Sequence, residues 1–274
     1  QVRILKDGQV LENKAELTID LASETISIQL TAENYPADSL QKMTWKSSAK
    51  RVADVDEYGL ITGLRDGNAT ITATTIDGTR KMISINASVS TIVKDVMISG
   101  SSSVASEQKF KLSAIVLPED ASDKKLTWES SDDTIARVNK NNGEVTARKV
   151  DTQQQVTITA TARDGSGIQA KMDITVHPLV TDILLSRDGI LLEKKAQLEV
   201  DLSDTNTLNL FASLVPMDAI QAVKWVSSNE RVATVDQSGI VTLLKKGNVR
   251  ITATATDGSR TRTNLELTVT NKDQ

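Results

Sequence analysis

The 274 residues carry 32 Lys and Arg against 36 Asp and Glu, with one His, no Cys and only 3% aromatic residues. The balance is even along the chain, 10 basic against 12 acidic residues in 1–90, 11 against 12 in 91–177 and 11 against 12 in 178–274, which excludes nucleic-acid binding driven by phosphate neutralisation. The missing Cys excludes a disulfide scaffold, thiol catalysis and Cys-type zinc sites, and no apolar run reaches the length of a membrane-spanning helix. The chain opens at Gln1 without Met and without a signal-peptide pattern, as expected of a processed mature protein or a piece of a longer one.

From the N-terminus, ILKDGQVLENKAELTIDL at 4–21 comes first. It returns as LLSRDGILLEKKAQLEVDL at 184–202, whereas a short Gly-Ser-rich turn leads from Ile98 to Phe110. Next, Ile28, Leu30 and Ala32 alternate with Gln29 and Thr31 ahead of Pro36, the period of a strand with one buried and one wet face. Phe110, Leu112, Ala114 ahead of Pro118 and Leu208, Leu210, Ala212 ahead of Pro216 repeat the alternation. These prolines stand nine, ten and nine residues before Trp45, Trp128 and Trp225 and mark one strand end three times.

Each Trp opens the longest shared stretch: WKSSAKRVADVDEYGLIT at 45–62, WESSDDTIARVNKNNGEVT at 128–146 and WVSSNERVATVDQSGIVT at 225–242. Trp45, Trp128 and Trp225 are expected at the centres of three cores, because few other aromatics are available to fill them. After a Ser-Ser turn, Val52-Ala53 and its counterparts begin a short buried strand, and Gly59, Gly143 and Gly239 sit where a hairpin needs positive φ. ATITATTIDG at 69–78, VTITATARDG at 156–165 and VRITATATDG at 249–258 then alternate Ile and Ala with Thr. The closing Asp-Gly of each predicts a type I′ turn. A last strand follows, through Ile83 and Ile85 in the first copy and Leu265, Leu267 and Val269 in the third.

Self-similarity at so long a period fixes the architecture. The chain reads as three modules, 1–90, 91–177 and 178–274, joined near Ser90 and near His177-Pro178. Short strands separated by turn signals predict two antiparallel sheets per module, an all-β sandwich. Linkers of a few residues restrict the angle between modules, so an elongated rod is expected.

The series Pro, Trp-x-Ser-Ser, Val-Ala-x-Val, Gly-x-Val-Thr and Ile-Thr-Ala-Thr-x-x-Asp-Gly resembles the bacterial Ig-like domain, group 2, in all three modules. The resemblance implies three tandem immunoglobulin-like β-sandwich domains and an extracellular or cell-surface placement, with a virion as the alternative. Such modules occur in adhesins, surface-layer and cell-wall proteins, carbohydrate-active enzymes and phage virions. The second module departs from the pattern by extra residues at 139–142 and 151–155, which marks its loops as specialised.

No catalytic, cofactor or metal site is expected. His177 is the only histidine and stands at a junction, so neither a two-His metal site nor a Ser-His-Asp triad can be built within the chain. Asp54, Asp56 and Glu57 cluster in one turn, yet Thr234 and Gln237 replace two of them in the third module; a solvated acidic turn is preferred over a calcium site. Tyr58, in a turn, and Phe211, on an outward strand face, are the free aromatics and the candidate partner contacts. The functional expectation is a non-enzymatic structural or adhesion array that spaces or presents a binding function on a bacterial surface. A phage decoration or tail protein binding host glycans, and an accessory region of a secreted carbohydrate-active enzyme, are the alternatives. Expected partners are a host-surface protein or glycan and neighbouring modules of a longer chain, with no nucleic acid and no membrane span.

Overall fold

The computed structural model describes residues 1–34 and 43–271; Pro36 lies outside them. The described residues form twenty-eight strands and no helix, the all-β class that the alternation predicts. They gather into two compact units, 1–97 with 114–127 and 161–170, and 98–113 with 128–160 and 171–274. The middle sequence repeat contributes to both.

The first repeat comprises β1 (Val2–Lys6), β2 (Gln9–Leu11), β3 (Glu16–Asp20), β4 (Ser27–Gln29), β5 (Thr31–Asn34), β6 (Met43–Ser47), β7 (Ala53–Val55), β8 (Leu60–Gly63), β9 (Gly67–Thr75) and β10 (Met82–Ser90). Its sheets run β2-β1-β5, β4-β8-β7 and β3-β10-β9-β6. The middle repeat comprises β11 (Asp95–Ser99), β12 (Ser103–Ala105), β13 (Lys109–Lys111), β14 (Ser113–Leu117), β15 (Leu126–Ser130), β16 (Ala136–Val138), β17 (Glu144–Ala147), β18 (Gln154–Ala162) and β19 (Gln169–His177). They order as β11-β14, β13-β17-β16 and β12-β19-β18-β15. In the third repeat, β20 (Asp182–Arg187), β21 (Ile190–Leu191), β22 (Gln197–Asp201), β23 (Thr207–Val215), β24 (Val223–Ser227), β25 (Ala233–Val235), β26 (Ile240–Leu243), β27 (Gly247–Ala255) and β28 (Arg262–Thr270) form β21-β20-β23-β26-β25 and β22-β28-β27-β24.

The early stretch of each repeat serves two sheets. Its first strand joins one, then the chain passes to the other and lies parallel to the repeat's last strand, β3 on β10, β12 on β19 and β22 on β28. Parallel neighbours cannot be closed by a tight turn, and here they come from opposite ends of the repeat. The passage is a hairpin in the first and third repeats and the Ser-rich turn in the second. That is the sequence difference between 4–21 or 184–202 and 98–110, given a structural cause.

The Asp-Gly pairs need a correction. Those at 77–78, 164–165 and 257–258 do not form type I′ turns; six residues separate the strands at each place, 76–81, 163–168 and 256–261. Positive φ falls on Gly78 and Arg80 (87° and 51°), Gly165 and Gly167 (84° and 74°), and Gly258 and Arg260 (91° and 63°). The Asp carboxylate, by accepting the amide two residues on, builds an Asx-type turn and a longer loop. A type I′ turn needs positive φ at both central residues, and that pattern occurs instead at Asp7-Gly8 (51° and 79°) and Asp188-Gly189 (50° and 83°).

The inward faces are those read from the alternation. Ile4, Leu30, Ile61, Ile71 and Ile85 are fully buried in the first core, and Leu210, Val241, Ile251 and Leu265 in the third. Trp128 and Trp225 are 5% and 4% exposed, while Trp45 is partly buried at the margin of the first core. Trp45 lines an open concavity of about 680 Å³ with Met43, Tyr58 and Ile76. The three recurrent glycines adopt φ of 86°, 71° and 89° at 59, 143 and 239, as expected, and they meet a second demand. A Cβ at Gly59 or Gly143 would lie 2.9 Å from the indole of Trp45 or Trp128, and one at Gly239 would lie 2.3 Å from the carbonyl oxygen of Leu210.

Candidate functional site

Four residues connect β10 to β11, Thr-Ile-Val-Lys at 91–94, and four connect β19 to β20, Pro-Leu-Val-Thr at 178–181. Connecting segments ordinarily run over the surface, where water satisfies the backbone. Here Thr91, Val93 and Val180 are 6%, 1% and 2% exposed, so their backbone groups require protein partners.

One device supplies them at both joints. The side chain of Asp164 accepts the Ser166 amide (3.0 Å) and hydroxyl (2.6 Å) at Oδ1, and the Val93 amide at Oδ2 (2.6 Å). Asp257 accepts the Ser259 amide (3.0 Å) and hydroxyl (2.6 Å) at Oδ1 and the Val180 amide at Oδ2 (2.6 Å). Each Asp-Gly-Ser loop thus fixes its own shape with one oxygen and holds the preceding linker with the other. Burial pushes the Asp164 carboxyl up, but the hydrogen bonds from Ser166 and Val93 outweigh it and leave the group below its ordinary value.

The first joint adds contacts from both sides. Asp20, at the end of β3, accepts the Ile92 amide (3.1 Å) and pairs with the Lys94 ammonium. Burial raises the Asp20 pKa, and the Lys94 and amide hydrogen bonds reverse it, leaving it lowered. The Thr91 amide donates to the Ser122 hydroxyl (2.7 Å), and the Lys94 amide to the Leu117 carbonyl (2.8 Å).

The second joint uses the histidine and one of the extra loops. His177 Nδ1 donates to the Asp218 carbonyl at 2.7 Å, since a carbonyl can only accept, and Nε2 lies 3.0 Å from the Ser103 hydroxyl. From the loop at 151–155, the Gln153 amide donates to the Asp218 carboxylate (2.7 Å). The Gln108 amide group donates to the Asp257 carbonyl (2.9 Å), and the Thr261 hydroxyl to the Val180 carbonyl (2.7 Å). His177 is therefore a packed joint residue, and the loop at 151–155 a joint element. The residues at 139–142 instead shape a turn, in which Asn139 and Asn142 accept the amides of Asn141 and Glu144 (each 3.0 Å).

The other candidates are not brought together. Tyr58 is 74% exposed in the β7–β8 turn, and Phe211 is 57% exposed on β23 opposite Ser186, so the segment 184–202 leaves its ring open. Asp56 is committed to its turn, accepting the amides of Tyr58 (2.9 Å) and Leu60 (2.8 Å), as Asp236 does for Ser238 and Ile240 (2.9 Å each). Asp54 lies 3.8 Å from the Lys50 ammonium. Among the described residues, no three His, Cys, Asp or Glu side chains group as metal ligands, and no helix is long and apolar enough to cross a membrane.

Sequence reasoning missed Asp164, Asp257, Gln108 and Asp218. The signal for the first two was present: Asp-Gly is followed by Thr79, Ser166 or Ser259, a hydroxyl able to cap the carboxylate, and Val stands two residues before Asp95 and Asp182 in both linkers.

Comparison with known proteins agrees with this geometry. The family model described as bacterial Ig-like domain (group 2) matches residues 23–84, 92–172 and 196–264. An uncharacterized protein of Clostridium acetobutylicum is 35% identical over 58% of this chain and 15% of its own length. A lacto-N-biosidase of Bifidobacterium bifidum is 35% identical over 35% of this chain and 8% of its own. An Ig-like virion protein of Serratia phage KSP90 is 32% identical over 54% of this chain and 58% of its own. The chain spans less than two thirds of the length of each.

Proposed function

Because the chain belongs to the bacterial Ig-like domain (group 2) family, with three such repeats in tandem, we propose that it is a non-catalytic extracellular array that spaces or presents a binding function on a bacterial surface. The observation that carries this reading is the pair of hydrogen-bonded joints. A spacer needs linkers that hold their geometry, and each linker here buries a Val, Val93 or Val180, whose amide is held by Asp164 or Asp257. On this reading the joined modules are the three sequence repeats, 1–90, 91–177 and 178–274, although the middle repeat divides between the two compact units. Tyr58 and Phe211 are the side chains offered to a host-surface protein or glycan, since exposed aromatics supply large contact area at low entropic cost.

The same physics suits a second setting. The virion relative matches over 58% of its own length, against 8% for the lacto-N-biosidase, which favours a virion decoration role over an accessory region of a glycoside-active enzyme. The test combines binding and turnover. The chain is expected to bind intact bacteria or their surface glycans without hydrolysing polysaccharides or peptides. Turnover abolished by a single Asp or Glu substitution would overturn the non-catalytic reading.

A further inference from the structure

The Asp-Gly loop occurs three times and holds a linker twice. At Asp77, Oδ1 accepts the Thr79 amide (2.9 Å) and hydroxyl (2.6 Å), the same arrangement as at Asp164 and Asp257. The positive-φ pair follows at Gly78 and Arg80, so the loop has its receiving shape already. Hydrogen bonds from Thr79 and, in addition, from the Thr75 hydroxyl, where the other repeats have Ala162 and Ala255, hold the Asp77 carboxyl below its ordinary value, which favours the anion that an incoming amide needs. Among the described residues no backbone amide donates to Asp77 Oδ2, the position filled by Val93 and Val180 in the other repeats. The rim also differs: Ile76 and Met82 flank this loop and are exposed, where Arg163 and Gln169, or Thr256 and Arg262, stand in the other repeats.

Resting on the joint reading above, we propose that the Asp77 loop is a preformed socket for the backbone of an extended linker from a neighbouring Ig-like repeat, entering along β1. The occupant's chemistry is read from the two filled sockets: a backbone N–H for Asp77 Oδ2, carried by a small β-branched residue two positions ahead of the place that Asp95 and Asp182 hold and Gln1 takes in the first repeat. An apolar rim suits such a segment better than it suits a hydrated cation, which gains nothing from covering Ile76 and Met82. Occupation of the same socket by the chain's own linkers elsewhere is the direct precedent.

The test extends the full chain by Thr-Ile-Val-Lys ahead of Gln1, the sequence of 91–94, and follows amide hydrogen exchange by NMR. The added Val amide is expected to exchange at least about tenfold more slowly than in an unstructured peptide, since protection reports the closed state. The amides of Val93 and Val180 in the same sample are the internal reference. Free exchange of the added Val alone overturns the socket, whereas free exchange of all three overturns the joint reading beneath it. Asp77→Asn supplies the second arm. With Thr79 donating to the Oδ1 position, the Asn side chain must turn its oxygen there and its NH₂ toward the linker, placing donor against donor. The variant should free the added Val amide and leave Val93 and Val180 protected; persistence of the added protection in Asp77→Asn also overturns the proposal.

Discussion

Gly239 and Gly78 make a matched pair for separating backbone strain from close packing. Their φ angles are 89° and 87°, so alanine meets the same left-handed penalty at both, about 1–2 kcal/mol. A Cβ on Gly78 would find nothing within 4 Å, whereas one on Gly239 would lie 2.3 Å from Leu210 O and 3.2 Å from Trp225 Cζ2. Relief requires the turn to move away from β23, breaking the 3.0 Å bond from the Leu210 amide to the Gly239 carbonyl, a loss of about 1 kcal/mol. Displacing the indole adds the usual overpacking cost of about 1–3 kcal/mol. Gly239→Ala is therefore expected to destabilise by roughly 3–6 kcal/mol, and Gly78→Ala by only about 1–2 kcal/mol. Urea unfolding followed by Trp225 fluorescence, with Trp45 and Trp128 replaced by Phe, reads Gly239→Ala at its site; circular dichroism on the parent chain compares both variants. Equal losses at the two positions would refute the claim that the ring's close approach contributes.

Replacing Trp225 by Ala should cost about 3–5 kcal/mol by cavity formation, and Trp45→Ala less, because Trp45 is only partly buried; paired urea titrations rank them. Phe211→Ser should change the unfolding free energy by no more than about 0.5 kcal/mol, as for other exposed sites, while weakening surface or glycan binding; a large loss of stability with binding intact would place the ring in the core. Asp164 binds its proton less tightly when folded, so its stabilising contribution is full above the unfolded carboxylate value of about 3.9 and is lost as pH falls through the lower folded value. Thermal midpoints measured from about pH 6 down to about pH 2 should fall less steeply in Asp164→Asn than in the parent.

The succession of strands was legible because the residues agree at several levels, but the expected pair of antiparallel sheets per module needs correction. β3, β12 and β22 lie parallel to β10, β19 and β28, and the first and middle repeats divide into three sheets, because local alternation carries no record of pairing between opposite ends of a repeat. Alternation around Leu208, Leu210 and Ala212 placed Phe211 outward, and β23 keeps that register to Leu214. The positive φ at Gly59, Gly143 and Gly239 was legible for the same reason, but the approach of the indole was not, since it joins residues from different strands. The Asp-Gly pairs at 77, 164 and 257 were misread because dipeptide statistics describe the backbone alone. Here the Asp side chain takes part, and the hydroxyl residue after Asp-Gly is what turns a hairpin signal into a latch. The joints at Asp218 and Gln108 were hidden for a simpler reason: a hydrogen bond between residues 108 and 257 has no local pattern.

The central claim is that the linkers are ordered parts of the structure, fastened by the loops that follow them. Backbone ¹⁵N relaxation of the full chain tests it at the amides of Val93, Lys94, Val180 and Thr181. Order parameters of about 0.85, equal to those of neighbouring strand residues, are predicted for these linkers, with a fall at Val93 in Asp164→Asn and at Val180 in Asp257→Asn. Values below about 0.6 in the unaltered chain would mean flexible linkers and would contradict the reading of this protein as a spacer with fastened joints.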